Sequence, residues 1–556
     1  MDSQKRKAGD ETDNAVGSME EATLASPIRE PEAKRQKQTH NDDPQPAQEV
    51  TKPAITESEV PHNVRTAPIP GPGQAGIPTK KTPRKWTAEY FRGLYTKDPS
   101  FKYLGQKDPD FAPLYVILST SSASCPHHSL TLPSLDSKHQ LDFNNPSAVM
   151  QLTKTLLKVD YGLKIELPPD RLCPPVPNRH NYILWLTSLL SSSCYHEPSS
   201  SPSSPSESRR IIGLDIGTGA SAIYPLLGCT QHPSWSFIAT DIDPHSLSYA
   251  QRNVALNHLE DRITLLHREP DQSLIPFDSP VLTARGIQKI DFTMCNPPFY
   301  SSPSDLLSSA AKKSRPPLTA CTGAEVEMVC DGGEVVHIFR MIDESLILRE
   351  KVGWYTSMVG KVTSLETVVE RLRSERINNY AVAELVQGTK TKRWVVGWSF
   401  GGMRAGDKEG RGVGGVWKKL LPPVVRVEVG MWKGAEKVER VVERVKKMVE
   451  GLELMSWDWD GERMRGVGRA RGNVWSRAWR RRREREMKEA AEGKTQKERD
   501  DMGNGTKEEE CKLGFEAVIE VGKDGETKVV LLWREGHDQG MFESLWGYLQ
   551  GKMKDI

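Results

Sequence analysis

The 556-residue sequence predicts an α/β fold with a parallel sheet, followed by a smaller α+β domain and preceded by a disordered tail. The first observation is that short apolar runs alternate with helical patterns between residues 210 and 400, as in a parallel sheet covered by helices. The second is a glycine-rich break at residues 401–415, after which strand and helix patterns begin again. The third is the polar composition of residues 1–84, which cannot form a core.

Length, charge and cysteine usage exclude several classes of protein. The length allows roughly three or four domains of about 150 residues, and the net charge of +2 neither demands nor excludes a nucleic-acid partner. No run approaches about 18 apolar residues, and the first ten residues lack the apolar core of a signal peptide, so we expect no membrane span and no secretion. The eight cysteines show neither a C-x-x-C pair nor zinc-ligand spacing. We therefore predict reduced thiols, no metal site and a cytosolic or nuclear compartment.

The tail, residues 1–84, contains two short basic clusters. Lys5-Arg6-Lys7 and Lys34-Arg35-Gln36-Lys37 have the form of a bipartite or simple nuclear import signal. The alternative is charge that is merely solvated. We predict a disordered basic tail and a protein located in the nucleus, with the cytoplasm as a second compartment.

The first domain is predicted to span residues 85–400. Aromatic residues become frequent from Trp86 onward, and a helical pattern follows at 148–157, whereas the Ser/Pro-rich stretches 119–139 and 191–208 are predicted to be surface insertions. Asp243 is predicted to cap one helix, and further helices are expected at 335–346 and 364–376. The predicted strands are 210–216, 235–240, 262–266, 290–295 and 353–359, and then a hairpin of 380–387 and 393–400 that ends the sheet with an antiparallel strand.

The second domain is predicted to span residues 416–556, with 401–415 as a linker. A strand at 424–429 precedes a helix with an apolar face, and a hairpin with Asp524-Gly525 at its turn precedes a closing helix. The helical faces contain Val438, Val441, Val442, Val445 and Met448, and Phe542, Leu545, Trp546 and Leu549. An Arg-rich insertion at 463–510 separates the first helix from the hairpin, and its later part is predicted to be disordered.

A glycine-rich turn, Asp215-Ile216-Gly217-Thr218-Gly219, stands where the first strand meets a helix. Such a turn lets a ligand approach the backbone at the carboxyl end of a parallel sheet. Ala222 stands in place of a third glycine, which disfavours NAD. The next strand ends at Asp241, whose carboxylate can accept hydrogen bonds from both ribose hydroxyls. An adenosine-containing cofactor is therefore predicted, and the alternative is an ordinary turn with a helix cap.

The loop Asn296-Pro297-Pro298-Phe299 follows the strand 290–295 directly, and its prolines make it rigid. An exocyclic amine such as adenine N6 is a poor nucleophile because its lone pair is delocalised into the ring. The side-chain oxygen of Asn296 and the carbonyl of Pro297 can hold both amine hydrogens, and Phe299 can stack on the base. These groups would place the nitrogen for attack on a sulfonium methyl group mainly by orientation, without a dedicated general base. The alternative is a strand-end turn stiffened by prolines.

With these motifs in view, the sequence resembles the methyltransferase-like protein 16 family of adenosine N6-methyltransferases that act on U6 small nuclear RNA. The resemblance runs from about Trp86 to Phe400. It is carried by residues 214–221 and 223–228, by Cys295-Asn296-Pro297-Pro298-Phe299, and by Val386-Gln387-Gly388-Thr389 leading to Arg393-Trp394.

The resemblance implies a class I Rossmann-like fold that binds S-adenosylmethionine, with an N-terminal extension that helps to grip RNA. Asp241 stands where the family often has Glu, and Ser273 where it often has Thr; both keep the oxygen. Gln272 replaces a lysine of a cofactor-gating loop. Together with the glycine turn, the resemblance predicts these cofactor contacts: Arg179, Asp215, Gly217, Gly219, Asp241, Ser273 and Asn296.

Basic residues predict an RNA partner as well. Trp475 and Trp479 alternate with arginines, which suits stacking and phosphate contacts on structured RNA. Solvated loops, or a second import signal, are the alternatives. The predicted RNA contacts are Lys312, Lys313 and Arg315 in the loop after the catalytic motif, Lys390, Lys392 and Arg393 in the closing hairpin, and Arg477, Arg480 and Arg481 in the second domain.

The sequence thus predicts an RNA adenosine N6-methyltransferase that uses S-adenosylmethionine, with U6 small nuclear RNA as its substrate by resemblance. One alternative is a protein glutamine N5-methyltransferase, since a side-chain amide poses the same lone-pair problem. Phe299 in place of tyrosine and the basic flanks disfavour it. Another is an RNA-binding splicing factor whose catalysis is secondary.

Overall fold

The first domain is built on a sheet of eight strands. The computed structural model describes residues 86–114, 141, 143, 145–195, 209–311, 323–387, 391–434, 437–491 and 510–554. The predicted tail and insertion 119–139, and the predicted insertion 191–208 beyond Tyr195, lie outside these residues. The strands are β1 Ile211–Ile216, β2 Trp235–Asp241, β3 Ile263–His267, β4 Ile290–Cys295, β5 Val352–Val359, β6 Tyr380–Gln387, β7 Thr391–Trp398 and β8 Arg411–Gly412.

The order of the strands brings two loops together. The sheet runs β3-β2-β1-β4-β5-β7-β6-β8, with parallel pairing from β3 to β5 and antiparallel pairing of β7 with both of its neighbours. The chain moves to one side of β1 for β2 and β3 and returns to its other side for β4, which creates a switch point between β1 and β4. Ile216 pairs with Cys295, so Gly217 and Asn296 leave the sheet side by side.

Helices cover both faces of this sheet, which confirms the predicted α/β class. Asp243 caps its helix as predicted, because its carboxylate accepts from the N–H groups of His245 and Ser246. In chain order the helices are α1 Ala88–Gly93, α2 Phe101–Lys107, α3 Pro146–Leu156, α4 Val176–Ser192, α5 Ile223–Gln231, α6 Pro244–Leu256, α7 Pro280–Ala284, α8 Pro303–Ala311, α9 Glu325–Met328, α10 Gly333–Leu348, α11 Val362–Ser374 and α12 Asp407–Gly410. None of the helices among the described residues is long and apolar enough to cross a membrane.

A buried histidine ties the N-terminal helices to α4. The Nε2 atom of His180 lies 2.9 Å from the carbonyl oxygen of Phe91, and its Nδ1 atom lies 2.7 Å from the hydroxyl of Tyr161. A carbonyl can only accept, so Nε2 carries the hydrogen and Nδ1 accepts from Tyr161 in the neutral ring. Burial lowers the pKa of His180 to about 4.

We expect this histidine to make the protein less stable in acid. An unfolded histidine takes up a proton below pH 6.5, but folded His180 does so only near pH 4. The free energy of unfolding therefore decreases as the pH is lowered from 6.5 to 4. Its share is about 1.4 kcal/mol per pH unit. Urea unfolding of the wild type and of His180→Gln, measured from pH 7 to pH 4, should show a shallower pH dependence in the variant. His232 and His337 also have lowered pKa values, but both are present in the wild type and in the variant, so their contributions cancel in the comparison. Parallel pH profiles would contradict the assignment.

The second domain is a five-stranded antiparallel sheet in the order β10-β11-β12-β13-β9. Helices α13 and α15 pack on one face through buried residues that include Val441, Val445, Phe542, Leu545 and Leu549. This arrangement confirms the predicted α+β class. The elements are β9 Arg426–Lys433, α13 Val438–Glu450, β10 Ser456–Asp460, β11 Arg465–Ala470, α14 Arg477–Ala491, β12 Leu513–Val521, β13 Glu526–Glu535 and α15 Gln539–Lys552.

The structure differs from the prediction in the segment 463–510, which is not an insertion throughout. Residues 465–470 form β11, a central strand between β10 and β12. A side chain at Gly466 would collide with the ring of Trp457, and one at Gly468 with the ring of Phe515. The core side of β11 is therefore filled by rings from neighbouring strands. Because the strand itself lacks apolar alternation, its sequence pattern gave no sign of it.

Residues 401–415, predicted as a linker, are also structured. They include α12 and β8, which pairs with β6. Arg404 is buried: its guanidinium lies 3.6 Å from the ring centroid of Trp533, and its Nε donates to the carbonyl of Gly536 at 2.9 Å. Burial lowers the pKa of Arg404 to about 9. Both sheets thus belong to one compact unit, Thr82–Ile556.

Candidate active site

A cavity of about 150 Å³ opens at the switch point between β1 and β4. Its walls include the turn after β1, the ends of β2 and β4, the loop after β3, and helices α4, α9 and α10. All seven predicted cofactor contacts except Asp215 line it, namely Arg179, Gly217, Gly219, Asp241, Ser273 and Asn296. The tertiary structure therefore brings together residues that are more than 100 positions apart.

The turn after β1 is shaped by two glycines and one carboxylate. Gly217 and Gly219 have φ angles of +72° and +64°, in the region that favours glycine. Asp241 supports the turn, because its Oδ2 accepts from the N–H of Gly219 at 2.7 Å and its Oδ1 from the N–H of Asp243 at 2.9 Å. Asp241 thus both faces the cavity and fixes the glycine turn. Burial raises its pKa.

Two buried charged residues stand behind this turn. Asp215 is fully buried. Neither carboxylate oxygen has a hydrogen-bond partner of good geometry within the described part of the chain. Burial raises the pKa of Asp215 to about 7, although Thr218 is close enough to lower the pKa of the carboxyl group. The guanidinium of Arg179 lies 5.6 Å from the ring centroid of Tyr224, which also lines the cavity. A buried carboxyl group and a buried guanidinium group therefore stand beside the turn.

The loop after β3 is held to its surroundings at both ends. Arg268 donates to the carbonyl and the hydroxyl of Ser273 at 2.9 Å, and to the carboxylate of Asp278 at 3.0 Å. The N–H groups of Leu274 and Ile275 donate to the carboxylate of Glu344 on α10 at 2.7 and 3.0 Å. Ser273 therefore reaches the cavity from an anchored wall, with its hydroxyl already hydrogen-bonded.

Asn296 presents an unused acceptor at the end of β4. Its Oδ1 atom is buried and has no hydrogen-bond partner among the described residues. Pro297 is buried directly beside it. The loop continues into Tyr300, whose N–H donates to the carbonyl of Met328 and whose carbonyl accepts from the N–H of Cys330. Asn296 is therefore held between two fixed stretches of backbone, β4 before it and the hydrogen-bonded Tyr300 after it.

The ring of Phe299 lies between Gly360 and Arg393. The guanidinium of Arg393 lies 5.7 Å from the ring centroid, and burial lowers the pKa of Arg393. A Cβ on Gly360 would come within 2.7 Å of the ring. Glu334, which is 2% exposed, accepts from the N–H groups of Gly360 and Lys361 at 2.6 and 3.2 Å. The position of the ring thus depends on a glycine held by a buried carboxylate.

The predicted RNA contacts fall into three groups: residues outside the described part of the chain, residues that contact other side chains, and exposed residues. Lys312, Lys313, Arg315 and Lys390 lie outside the described residues. Lys392 is paired with Glu384 at 2.6 Å, and Arg393 lies against Phe299. Arg477, Arg480 and Arg481 are exposed on α14, and none of them forms an ion pair with the part of the chain that the structure describes.

The two tryptophans near α14 are not free for stacking as predicted. Trp475 is 4% exposed and donates its Nε1 hydrogen to Ser544. Trp479 donates to Glu453 at 2.8 Å and is covered by Arg482, whose guanidinium lies 4.4 Å from the ring. Packing of Trp475 in the second core and the contacts of Trp479 with Glu453 and Arg482 therefore engage both rings, whereas the three arginines stay exposed.

Three further cavity residues have no counterpart in the sequence prediction. Glu327, His337 and Arg340 line the cavity from α9 and α10. Burial lowers the pKa of His337 to about 4, and its Nε2 lies 3.6 Å from the Sγ of Cys295. These residues follow no strand end or glycine turn, so only the packing of α9 and α10 against the cavity could identify them.

The chain is similar to several known proteins. It is 43% identical over 265 residues to the U6 small nuclear RNA (adenine-(43)-N(6))-methyltransferase of Schizosaccharomyces pombe. That alignment covers 48% of this chain and 63% of that protein. It is 37% identical over 306 residues to the RNA N(6)-adenosine-methyltransferase METTL16 of Homo sapiens. That alignment covers 55% of this chain and 49% of that protein. The alignments thus span between about half and 63% of these relatives.

Among solved structures, the human Mettl16 catalytic domain in complex with the MAT2A 3′UTR hairpin 1 is 35% identical, with a TM-score of 0.44. That likeness covers 55% of this chain and 92% of the domain. A family model described as RNA methyltransferase matches residues 99–402. Because this match covers more than half of the chain, the protein belongs to that RNA methyltransferase family.

Proposed function

We propose that the protein transfers a methyl group from S-adenosylmethionine to N6 of an adenosine in a structured RNA, with U6 small nuclear RNA as the substrate. The observation that carries the proposal is the buried, unpartnered Oδ1 of Asn296, a residue that lines the cavity. A buried acceptor without a donor is unfavourable, and an incoming amine would satisfy it.

The cavity residues fit the cofactor. Gly217 and Gly219 leave the backbone open to a ligand, Asp241 can accept from ribose hydroxyls, and Arg179 can meet a carboxylate. When bound, S-adenosylmethionine supplies an electrophilic methyl group. Asp215 is buried beside the turn with unpartnered oxygens, which suits a nearby positive charge. The protein residues therefore bind and orient the nucleoside of the cofactor and its charged amino-acid end.

The residues of the loop 296–299 would act on the target base. Asn296 Oδ1 and the carbonyl of Pro297 accept the two hydrogens of the exocyclic amine, which favours a localised lone pair on nitrogen. Phe299 stacks on the base with its ring held by Gly360 and Arg393. As the nitrogen gains the methyl group, the carbon–sulfur bond would break and the amine would give up one proton to solvent. The rate enhancement comes from this orientation rather than from a general base.

Gly360→Ala tests the placement of Phe299. The new Cβ would lie within 2.7 Å of the ring, so the ring must move, and we expect kcat for methyl transfer to fall about 100-fold while cofactor affinity stays within twofold. Single-turnover methylation and calorimetry measure the two quantities. Gly414→Ala is the matched control, because a Cβ there meets no atom within 4 Å. Equal loss in both variants would contradict the role of Gly360.

RNA is the proposed macromolecular partner, and the nucleus is the proposed compartment. Relatives named U6 small nuclear RNA and RNA adenosine methyltransferases support the substrate, and the exposed arginines of α14 support a phosphate contact. The test is methyl incorporation from labelled S-adenosylmethionine into a U6 transcript and into a transcript with the target adenosine replaced. Labelling of the first alone is expected. Equal labelling of both, or label that resists ribonuclease and remains on protein, would refute the proposal.

The exposed arginines of α14 give a separate prediction. Arg481→Gln should weaken RNA binding about 3- to 10-fold and reduce the slope of log K against log salt by about 0.7 to 0.9, because one phosphate contact is lost. Arg483→Gln is the matched control, since Arg483 is already paired with Glu453 at 3.1 Å. Filter binding across a salt series measures both. If the two variants weaken binding equally, the exposed face of α14 is not the RNA contact.

A further inference from the structure

The cavity contains a second acidic side chain, Glu327, which lines it together with Asp241. Its Oε2 accepts from the N–H of Leu172 at 2.8 Å and from the N–H of Ala324 at 3.0 Å. Leu172 lies just before α4, and Ala324 lies just before α9. One carboxylate oxygen therefore joins two walls of the cavity that are about 150 residues apart in the chain.

The other oxygen, Oε1, faces the glycine turn. A Cβ placed on Gly219 would lie 3.7 Å from Oε1, and Gly219 itself donates its N–H to Asp241 at 2.7 Å. Oε1 accepts no hydrogen bond from the residues that the structure describes. It is thus a free acceptor on the same stretch of cavity wall as Asp241.

Two carboxylates that face one small cavity repel each other. Burial raises the pKa of Glu327, and the charge of Asp241 adds to the rise, whereas the N–H groups of Leu172 and Ala324 and the charge of Arg171 oppose it. A ligand with two adjacent O–H donors would satisfy both carboxylates at once, because each hydroxyl can donate to one of them. The cis-diol of a ribose has this arrangement.

We propose that Glu327 is a cofactor-binding residue whose Oε1 accepts a hydrogen bond from one ribose hydroxyl, so that Asp241 and Glu327 hold the cis-diol between them. The inference rests on the proposed function, because it takes an adenosine-containing cofactor as the ligand. It adds to that function a second carboxylate that binds the cofactor, and it requires that the ribose of the cofactor have both hydroxyls.

The test measures binding of S-adenosylhomocysteine and of its 2′-deoxy and 3′-deoxy analogues to the full chain by calorimetry. The wild type should bind each deoxy analogue about 10-fold more weakly, since each lacks one hydrogen bond to a charged acceptor. Glu327→Gln keeps an oxygen that can accept from Leu172 and Ala324. It should bind S-adenosylhomocysteine about 10-fold more weakly and lose its discrimination against one of the two analogues. Glu325→Gln, on the exposed side of α9, should match the wild type.

Amide hydrogen exchange at Leu172 and Ala324 checks that the variant keeps the contact between the two walls. If Glu327→Gln discriminates as the wild type does, or if the wild type itself binds either deoxy analogue as tightly as S-adenosylhomocysteine, the inference is overturned and the proposed function stands. If the wild type does not bind S-adenosylhomocysteine, the proposed function fails as well.

Discussion

Asn296→Ala should lower kcat for methyl transfer about 100- to 1,000-fold and leave the affinity for S-adenosylmethionine nearly unchanged. The Oδ1 atom of Asn296 is buried without a partner, so its removal takes away an acceptor that only the target amine would use. Without it, the amine keeps its lone pair delocalised and loses its orientation. Single-turnover kinetics with saturating RNA and cofactor measure the chemical step, and calorimetry measures cofactor binding.

Asn296→Asp is the matched variant, because aspartate keeps an oxygen at the same position and has the same shape. We expect it to retain more activity than the alanine variant. Persistent turnover in Asn296→Ala would refute the role of this side chain. A loss of cofactor affinity equal to the loss of kcat would instead assign Asn296 to the cofactor alone.

Asp241→Ala should weaken cofactor binding about 100-fold. The carboxylate accepts from the N–H groups of Gly219 and Asp243, and its loss leaves both donors without a partner and relaxes the glycine turn. The loss of hydrogen bonds to a charged group corresponds to about 3 kcal/mol, which is about 100-fold in affinity. Calorimetric titration with S-adenosylhomocysteine measures the change.

The matched control for Asp241 is Asp271→Ala, which removes an exposed carboxylate from the loop after β3. It should bind the cofactor as the wild type does. If Asp241→Ala binds with unchanged affinity, then Asp241 supports the fold of the turn only. Kinetics at saturating cofactor separate the two roles further, since a purely binding role leaves kcat largely intact.

Strands β1 to β7 of the first domain could be predicted because each contains a short apolar run. The ends of these runs located Gly217, Asp241 and Asn296, since residues at the carboxyl ends of parallel strands share one edge. The pattern of apolar runs failed for β11, where Gly466 and Gly468 make room for Trp457 and Phe515. It also failed for residues 401–415, whose glycines and polar residues resemble a linker although Arg404 is buried against Trp533.

Trp475 shows a different limit of sequence patterns. A tryptophan among arginines has the composition of an RNA-stacking site, but burial against the second core and the hydrogen bond to Ser544 assign it to packing. The same segment leaves Arg477, Arg480 and Arg481 exposed. Composition therefore indicated the charge of this region and could not indicate which side chains face outward.

The sequence by itself determined the class of the fold, the glycine turn and the loop 296–299, because these depend on local patterns of apolar residues, glycine and proline. Only the tertiary structure decided that β4 lies beside β1, which places Asn296 next to Gly217. It also decided that Glu334 and Gly360 position Phe299 and that Glu327 lines the same cavity as Asp241. These relations join residues that are distant in the chain, and their pairing follows from strand order and close packing, which no local pattern encodes.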